Sequence, residues 1–455
     1  MNSKILLVEP NYRSKFPPLG LMRISTFHKD RGDEVTFIRG TVEEIKDQIW
    51  NRIYISSLFT YYLPKTVQTI NYYSKSVENP DHDLIVGGIG ATLLPKYIEK
   101  HSKCKIITGP LDYPDALGFN EQPIADLIPD YEMISSVDYN YTPDDAYFTR
   151  ISIGCIRKCK FCAVPILEPN FGFLQNITEQ VQEINSKFGE KKDLIVLDNN
   201  ILALQNIVEV ICEIEDLGFK RNAKFGRKLR FVDFNQGIDA RLITPEIAEK
   251  LGNINIRPIR LAFDNMAIEK YYRNAIKLLV DQDFKYFTTY VMFNFHDTPK
   301  EFYKRLRINI DLSKKYDVKI TSFPMRFVPI NDIQRHFISD DWNWKFLRGI
   351  QCILNATHGM VSPLEKFFNL AYGESFEEFL EILTMPDNYI IYRSNYQNQA
   401  NQWRDIYSGL DNEELNDIYQ IFNLHHHQSY KVSSNNPKIN KFLSFYNNRG
   451  VNKMT

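Results

Sequence analysis

Short apolar runs recur along most of this chain, and stretches of helical period separate them. Lys4-Ile5-Leu6-Leu7-Val8 is closed by Pro10 and Asn11, and similar runs follow at 35–38, 53–58 and 84–86, with a helix expected from 19 to 31 before Gly32. Runs this short and unbroken fit strands buried on both faces. Strands that alternate with helices pair in parallel through crossovers. Residues 1–112 are therefore expected to form an open, doubly wound parallel sheet, whose ligands sit beyond the carboxyl ends of the strands. Pro10, Ser56 and the Gly87-Gly88 pair fall at those ends. Over 113–146, Pro114, Pro123, Pro129 and Pro143 break any long element, which reads as a linker.

A second alternating series spans 147–330. Strands are expected at 147–153, 194–198, 230–234, 257–263, 286–293 and 319–327, with helices at 178–188, 203–217, 244–251, 267–282 and 298–316. Thr298-Pro299-Lys300-Glu301 has the chemistry of a helix start, with proline at the first helical position and a capping-box glutamate. Six strands and five helices suggest a partial (β/α)6 barrel, a fold that places its chemistry on the loops after the strands. From 331 to 455 the alternation stops. Helices are expected over 337–385 and 413–424, with Gly349, Gly359 and Gly373 as breaks and a loose polar segment at 429–441. The fold class is thus α/β, with a mostly helical C-terminal region.

The 455 residues carry a formal net charge of -1. A chain that lives on a polyanion usually shows basic excess, so the composition does not point to nucleic acid. No apolar stretch approaches the ~18 residues of a membrane span, and the apolar run at the start is too short for a signal peptide. A cytoplasmic protein without membrane contact is expected. Six cysteines in so long a chain are no disulfide framework, and clustered cysteines in a reducing compartment more often bind metal.

Three of them do cluster. Ile153-Gly154-Cys155-Ile156-Arg157-Lys158-Cys159-Lys160-Phe161-Cys162 gives the spacing C-x3-C-x2-C directly after the strand expected to open the barrel. Three close thiolates can hold three irons of a 4Fe-4S cubane. The fourth iron then has no protein ligand and can accept an exchangeable small molecule, as an open zinc position accepts water. Arg157, Lys158 and Lys160 offset the thiolate charge. Zinc would need a fourth ligand, and no His or Cys follows in the next 40 or so residues. Cys104, Cys212 and Cys352 are isolated; Cys212 shares the apolar stripe of Ile207, Val208, Ile211 and Ile214, which argues against a second cluster. His425-His426-His427 are consecutive, so on a helix they share no face.

This motif, in this position, resembles the radical S-adenosylmethionine superfamily. The resemblance implies that the methionine amino and carboxylate groups of S-adenosylmethionine chelate the open iron at Cys155, Cys159 and Cys162. It implies further that one electron from the cluster cleaves the sulfonium to a 5′-deoxyadenosyl radical, which takes hydrogen from a substrate the sequence does not identify. An electron donor such as flavodoxin or ferredoxin is implied as a partner. Family members carry an aromatic residue before the last cysteine, near the adenine, and Phe161 fits. Where many members have a Gly-Gly-Glu motif that accepts the methionine amino group, this chain has Asp198-Asn199-Asn200; Asp198 or an Asn carbonyl is a candidate acceptor, and a turn is the plain alternative. Asn235 and Gln236 are candidates for the ribose hydroxyls. Asp239 and Arg241 can pair with each other, or Arg241 can take the methionine carboxylate. Asp264, His296-Asp297 and Arg326 also fall at strand ends.

Pro17-Pro18-Leu19-Gly20-Leu21, Ser56-Ser57-Leu58 and Val86-Gly87-Gly88 resemble the branch of that superfamily with an N-terminal cobalamin-binding-like domain. Cobalamin binding, and with it a methyl transfer, is therefore in view. After the first strand, Glu9-Pro10-Asn11-Tyr12 lacks the cobalt-ligating His of the Asp-x-His-x-x-Gly loop. A protein of another class remains open: a non-enzymatic iron–sulfur binding or redox-sensing protein on the same fold.

Overall fold

In β1 (Lys4–Glu9) every residue after the first is buried, so the strand needs cover on both faces. The computed structural model, which describes residues 2–118, 122–424 and 434–446, supplies it. β1 lies between β2 (Glu34–Arg39) and β3 (Arg52–Ser56); β4 (Leu84–Gly87) and β5 (Lys105–Ile106) complete a parallel sheet in the order β2-β1-β3-β4-β5. Register aligns Val8 with Ile38 and Ile55, and Ser56 with Gly87, which brings the carboxyl ends level. The order reverses at β1 and β3, and in such sheets the ligand crevice opens there. The two-residue β5 is too short to register as an apolar run. The proline-rich stretch is tied down rather than loose: Ser25 Oγ donates to Asp130 Oδ2 at 2.6 Å, Thr26 Oγ1 to the Ile128 carbonyl at 2.8 Å, and Tyr139 Oη to the Ser14 carbonyl at 2.8 Å.

The second series is present as expected, with shorter strands. β6 (Ala146–Thr149), β9 (Asp193–Val196) and β12 (Val232–Phe234) form a parallel sheet in the order β12-β9-β6. Two small antiparallel pairs lie outside it: β7 (Ser152–Ile153) with β8 (Gly172–Phe173), and β10 (Lys224–Phe225) with β11 (Lys228–Leu229). β13 (Ile259–Ala262), β14 (Tyr286–Phe293) and β15 (Lys319–Arg326) form a third sheet. The strand expected over 147–153 is interrupted, because the Asp198 carboxylate takes the N–H groups of Ile151 and Ser152 out of any ladder. β13 begins after Pro258, which has no N–H to give. The capping box at Thr298 and Glu301 forms and starts the helix Pro299–Tyr316.

The chain divides into two compact units, Met1–Ile259 with Pro329–His336, and Arg260–Val328 with Phe337–Thr455. In the second, the C-terminal helices share one core with β14 and the helix Pro299–Tyr316: Phe293, Phe302, Leu306, Ile350, Phe379 and Trp403 are all buried in it. Of the polar segment expected to be loose, 429–433 lie outside the described residues, and a short helix, Pro437–Leu443, begins in the remainder. Among the described residues no helix is long and apolar enough to cross a membrane.

One glycine departs from expectation. Gly349 does not break a helix but lies inside the helix Trp344–Ala356. A Cβ there would stand 2.6 Å from the Leu383 carbonyl oxygen and 2.8 Å from Leu383 Cα, so its lack of a side chain lets two helices touch through their backbones. Gly349→Ala should destabilise this unit by about 1–3 kcal/mol, overriding the ~1 kcal/mol by which alanine favours a helix. Thermal denaturation should show the midpoint falling by several degrees; a raised midpoint would contradict the close approach.

Candidate functional site

The cysteine loop is closed at its base by β7 and β8, with Ile153 opposite Gly172. The chain leaves β7 through Gly154, whose φ of +73° favours glycine. A Cβ at Gly154 would lie 2.0 Å from the Asn170 carbonyl oxygen, so its place is fixed by space as well. Within the loop, Cys162 N donates to the Cys159 carbonyl at 3.0 Å. Cys155 Sγ accepts from Arg157 N and Asn200 Nδ2, each at 3.3 Å, and Cys162 Sγ accepts from Val164 N at 3.4 Å. Donors placed on ligand sulfurs are a usual means of tuning an iron–sulfur site. None of the three thiols is in a disulfide, and all are partly exposed. Among the described residues no three Cys, His, Asp or Glu side chains are grouped to hold a single metal ion; on a cubane each thiolate binds a different iron.

Two acidic residues hold this loop. Glu168, which no sequence motif marks, accepts from Gly154 N at 2.7 Å and Asn199 Nδ2 at 2.8 Å, and pairs with Arg150. Asp198 is buried and accepts from the N–H groups of Ile151 and Ser152 and from Ser152 Oγ. Burial pushes its carboxyl above the usual carboxylate range, against the pull of those donors. Its oxygens are engaged in fixing the backbone ahead of the cysteines. Asn200 is different: its amide donates to Cys155 Sγ, while its buried Oδ1 has no hydrogen-bond partner. Of the Asp198–Asn200 turn, this is the acceptor left open beside the cysteines.

Asp239 and Arg241 do pair. Arg241 Nε donates to Asp239 Oδ1 at 2.7 Å, and Arg157, from within the cysteine loop, donates to Asp239 Oδ2 at 3.0 Å. Burial works to raise the Asp239 carboxyl, but Arg241 and Arg157 hold it below its ordinary value. Asp239 foremost, and more weakly Cys159 and Cys155, hold the Arg241 guanidinium above its ordinary value. Gln236 Nε2 donates to Asn235 Oδ1 at 3.2 Å, next to this pair in sequence. Phe161 is half-buried in the turn between Cys159 and Cys162.

Asp264 lies in the second unit, where its carbonyl accepts from Arg305 at 2.6 Å. In the same unit Asp297 is buried against Arg305, His296 is exposed and Arg326 donates to the Phe337 carbonyl at 2.7 Å. Cys104 and Cys352 stand apart, and burial pushes both thiols up to about 11. His425, His426 and His427 lie outside the described residues.

The strand ends of the first sheet carry a second constellation. Ser57, just past β3, is buried and its Oγ has no partner. Glycines bring backbone against it: a Cβ at Gly88 would stand 2.6 Å from the Ser57 carbonyl oxygen, and one at Gly90 2.5 Å from Ser57 Oγ. Past β1, Glu9 is buried and taken up by Tyr141 Oη at 2.5 Å and Arg39 Nε at 3.2 Å. Tyr12 Oη bonds the Ser56 carbonyl and Thr66. The helix Ile89–Leu93, which follows Gly88, packs against the helix Val164–Leu167, which follows Cys162. The two constellations are therefore neighbours, and large apolar side chains stand exposed on both: Phe59, Tyr61 and Ile89 on one, Ile156 and Ile166 on the other.

No family model matches the chain, and no curated protein does. Solved structures do. The chain is similar to a radical S-adenosylmethionine methyltransferase, TsrM, from Kitasatospora setae, solved with cobalamin and a [4Fe-4S] cluster bound, at 13% identity and a TM-score of 0.52, over 72% of this chain and 75% of that one. It is also similar to the cobalamin-dependent S-adenosylmethionine radical enzyme OxsB, solved with aqua-cobalamin and S-adenosylmethionine, at 14% identity and a TM-score of 0.48, over 97% and 70% of the two chains. The first likeness shows the fold alone.

Proposed function

We infer that this chain is a member of the radical S-adenosylmethionine superfamily, in the branch with an N-terminal cobalamin-binding-like domain, and that it is an enzyme. The observation that carries the reading is the pairing at Cys155: its sulfur is met by an Asn200 donor while the other end of that amide is a buried acceptor without a partner. A purely structural site has no use for that open acceptor, which costs about 1–3 kcal/mol while unpaired. The chemistry of the donors fits a 4Fe-4S cluster on Cys155, Cys159 and Cys162, which when bound supplies an electron and an open iron position for S-adenosylmethionine.

The chain's own residues then have distinct tasks. Gly154, Glu168 and Asp198 set the loop. Arg157 and Arg241 place positive charge beside the thiolates, with Asp239 holding both in place. Asn200 Oδ1 accepts the methionine amino group, Phe161 lies against the adenine, and Asn235 meets the ribose. A one-electron donor of the flavodoxin or ferredoxin kind completes the system.

The first sheet fits cobalamin. Ser57 Oγ offers a buried bonding group, and Gly88 and Gly90 keep the backbone low around it. No His follows β1, and Glu9 is committed to Arg39 and Tyr141, so the residues at 9–12 offer no imidazole to cobalt. Cobalamin when bound supplies a methyl carrier, and a methyl transfer is the reaction this arrangement favours.

The test is direct. Anaerobic reconstitution with iron and sulfide, then dithionite and S-adenosylmethionine, should give 5′-deoxyadenosine, and joint replacement of Cys155, Cys159 and Cys162 by Ala should reduce it to background. A protein that takes up the cluster and forms no product is an iron–sulfur binding or sensing protein instead. Absorption of the anaerobically purified chain separates cobalamin bands from those of the cluster.

Asn200→Ala should weaken S-adenosylmethionine binding about 10-fold or more, since a hydrogen bond to a charged group contributes about 1.5–3 kcal/mol. Iron content should be retained. Equilibrium dialysis on the reconstituted protein checks this, and unchanged affinity would assign the orphan acceptor no role in binding.

A further inference from the structure

A cavity of about 750 Å³ opens in the second unit between β15, the end of the helix Trp344–Ala356 and the segment from 360 to 395. Its volume lies within the ~300–1,000 Å³ of small-molecule sites. It is not the barrel mouth. The strand reaches it through Thr321, five positions before Arg326 at the carboxyl end, or roughly 16 Å at about 3.3 Å per residue.

The lining is apolar, with Ile353, Val361 and Ile390 prominent, and the rim is apolar too: Met360, Phe367, Leu370 and Tyr392 are each more than 40% exposed. Set into this surface are three polar groups with unmet capacity. Tyr372 is fully buried and its hydroxyl has no partner. The buried hydroxyl of Thr357 has none either. Arg393 donates to the carbonyls of Leu370 and Ala371, and no carboxylate among the described residues pairs with it; Glu378 acts on it only at longer range. Burial first, then Arg404, pushes its guanidinium below the ordinary value. A half-buried cation without a paired carboxylate, in the lining of a cavity that also carries two unpartnered hydroxyls, calls for a ligand that is an anion and an acceptor at once. The apolar remainder calls for a hydrocarbon body.

We propose that this cavity binds a small amphipathic monocarboxylate, with its aliphatic chain among Ile353, Met360, Phe367 and Ile390 and its carboxylate met by Arg393 and the hydroxyls of Tyr372 and Thr357. The site is independent of the reading of the cysteine loop.

Dodecanoate is the probe, titrated calorimetrically into the full chain. Saturable binding is expected, at least about 10-fold tighter than that of dodecanol. Arg393→Gln should lower the affinity for dodecanoate about 10-fold and leave dodecanol unchanged. Because Arg393 also holds two helix-end carbonyls, Tyr372→Phe serves where that variant fails to fold; it removes only the hydroxyl and should weaken dodecanoate about 3- to 10-fold. A diazirine-bearing dodecanoate should label residues between 353 and 395. Absence of saturable binding, equal affinity in wild type and both variants, or labelling elsewhere would overturn the proposal. So would a stable dimer by light scattering that excludes dodecanoate, since a second copy would then be the occupant of this face.

Discussion

Gly154→Ala should give a folded chain that holds little iron and forms 5′-deoxyadenosine at least about 100-fold more slowly than wild type. The reason is local and steric. Gly154 links β7 to Cys155 at φ +73°, and an added Cβ would sit 2.0 Å from the Asn170 carbonyl oxygen, 2.7 Å from its carbonyl carbon and 3.1 Å from the Glu168 carbonyl oxygen. All three atoms are backbone, so no side chain can swing aside. Relief comes only by separating residues 153–154 from 168–172, which breaks the two-residue ladder of β7 with β8 and the bond from Gly154 N to Glu168. Cys155 moves with one edge of that opening. A misplacement of 1 Å in a reacting constellation costs about 100-fold, and a cluster held by three ligands tolerates the loss of one poorly. Gly189→Ala is the control. That residue has φ +75°, and a Cβ there meets nothing within 4 Å. It carries a positive-φ penalty of its own, about 1–3 kcal/mol, without the clash, and should keep its iron. Iron and sulfide content, circular dichroism and product formation distinguish the outcomes. If Gly154→Ala retained iron and activity, the loop would be far more yielding than its contacts indicate.

How much of this was legible in the sequence follows from where the information resides. The central strands of the first sheet are legible because burial on both faces writes an unbroken apolar run, as in Ile5–Val8; β14 is legible from its aromatic and β-branched residues, although Thr288 and Thr289 interrupt the run. The cysteine loop is legible because its spacing is chemical rather than conformational. The break between Thr149 and Ser152 is not, because Asp198 imposes it from 46 residues away. For the same reason the sequence offers Asp198 and Asn200 as equal candidates. Only an account of each polar atom's partners shows that the carboxylate is occupied and the amide oxygen is open. Glu168 stands between Pro165 and Pro169 with no pattern around it, and acquires its role only when Gly154, Asn199 and Arg150 converge on it. Gly349 misleads because a glycine inside a helix and one that ends a helix look alike in one dimension. What separates them is the backbone of Leu383 in another helix.

Arg305 is the strongest case of this kind, and its removal should be the most destabilising change outside the cysteine loop. It lies on the buried face of the helix Pro299–Tyr316, in step with Phe302, Leu306 and Asn309, with none of its side chain exposed. Its guanidinium donates to the carbonyls of Phe263 at 3.0 Å, Asp264 at 2.6 Å and Met292 at 2.7 Å, and it pairs with Asp297. Those carbonyls lie just past β13 and near the end of β14, so a single side chain ties the ends of two neighbouring strands to the helix. Asp297 is held in turn, with its carboxyl accepting Phe295 N at 3.1 Å and its carbonyl accepting Trp342 Nε1 at 2.6 Å. Arg305→Met keeps the hydrocarbon length but leaves a buried carboxylate without its counter-charge and takes a donor from three carbonyls. Breaking a buried pair from one side costs about 3–5 kcal/mol. Amide exchange in β13 and β14 should therefore accelerate about 100-fold or more, because each 1.4 kcal/mol is tenfold. Arg307→Met, two residues on, should change exchange little, since its partners are an exposed Asp311 and a half-exposed Glu365 and such pairs contribute about 0–1 kcal/mol. Adding Asp297→Asn to Arg305→Met removes the unpaired charge and should recover part of the loss, so the two substitutions will not add. The carbonyls would still lack that donor, so the recovery should be incomplete, and the size of the remainder measures what holding the strand ends contributes apart from the ion pair.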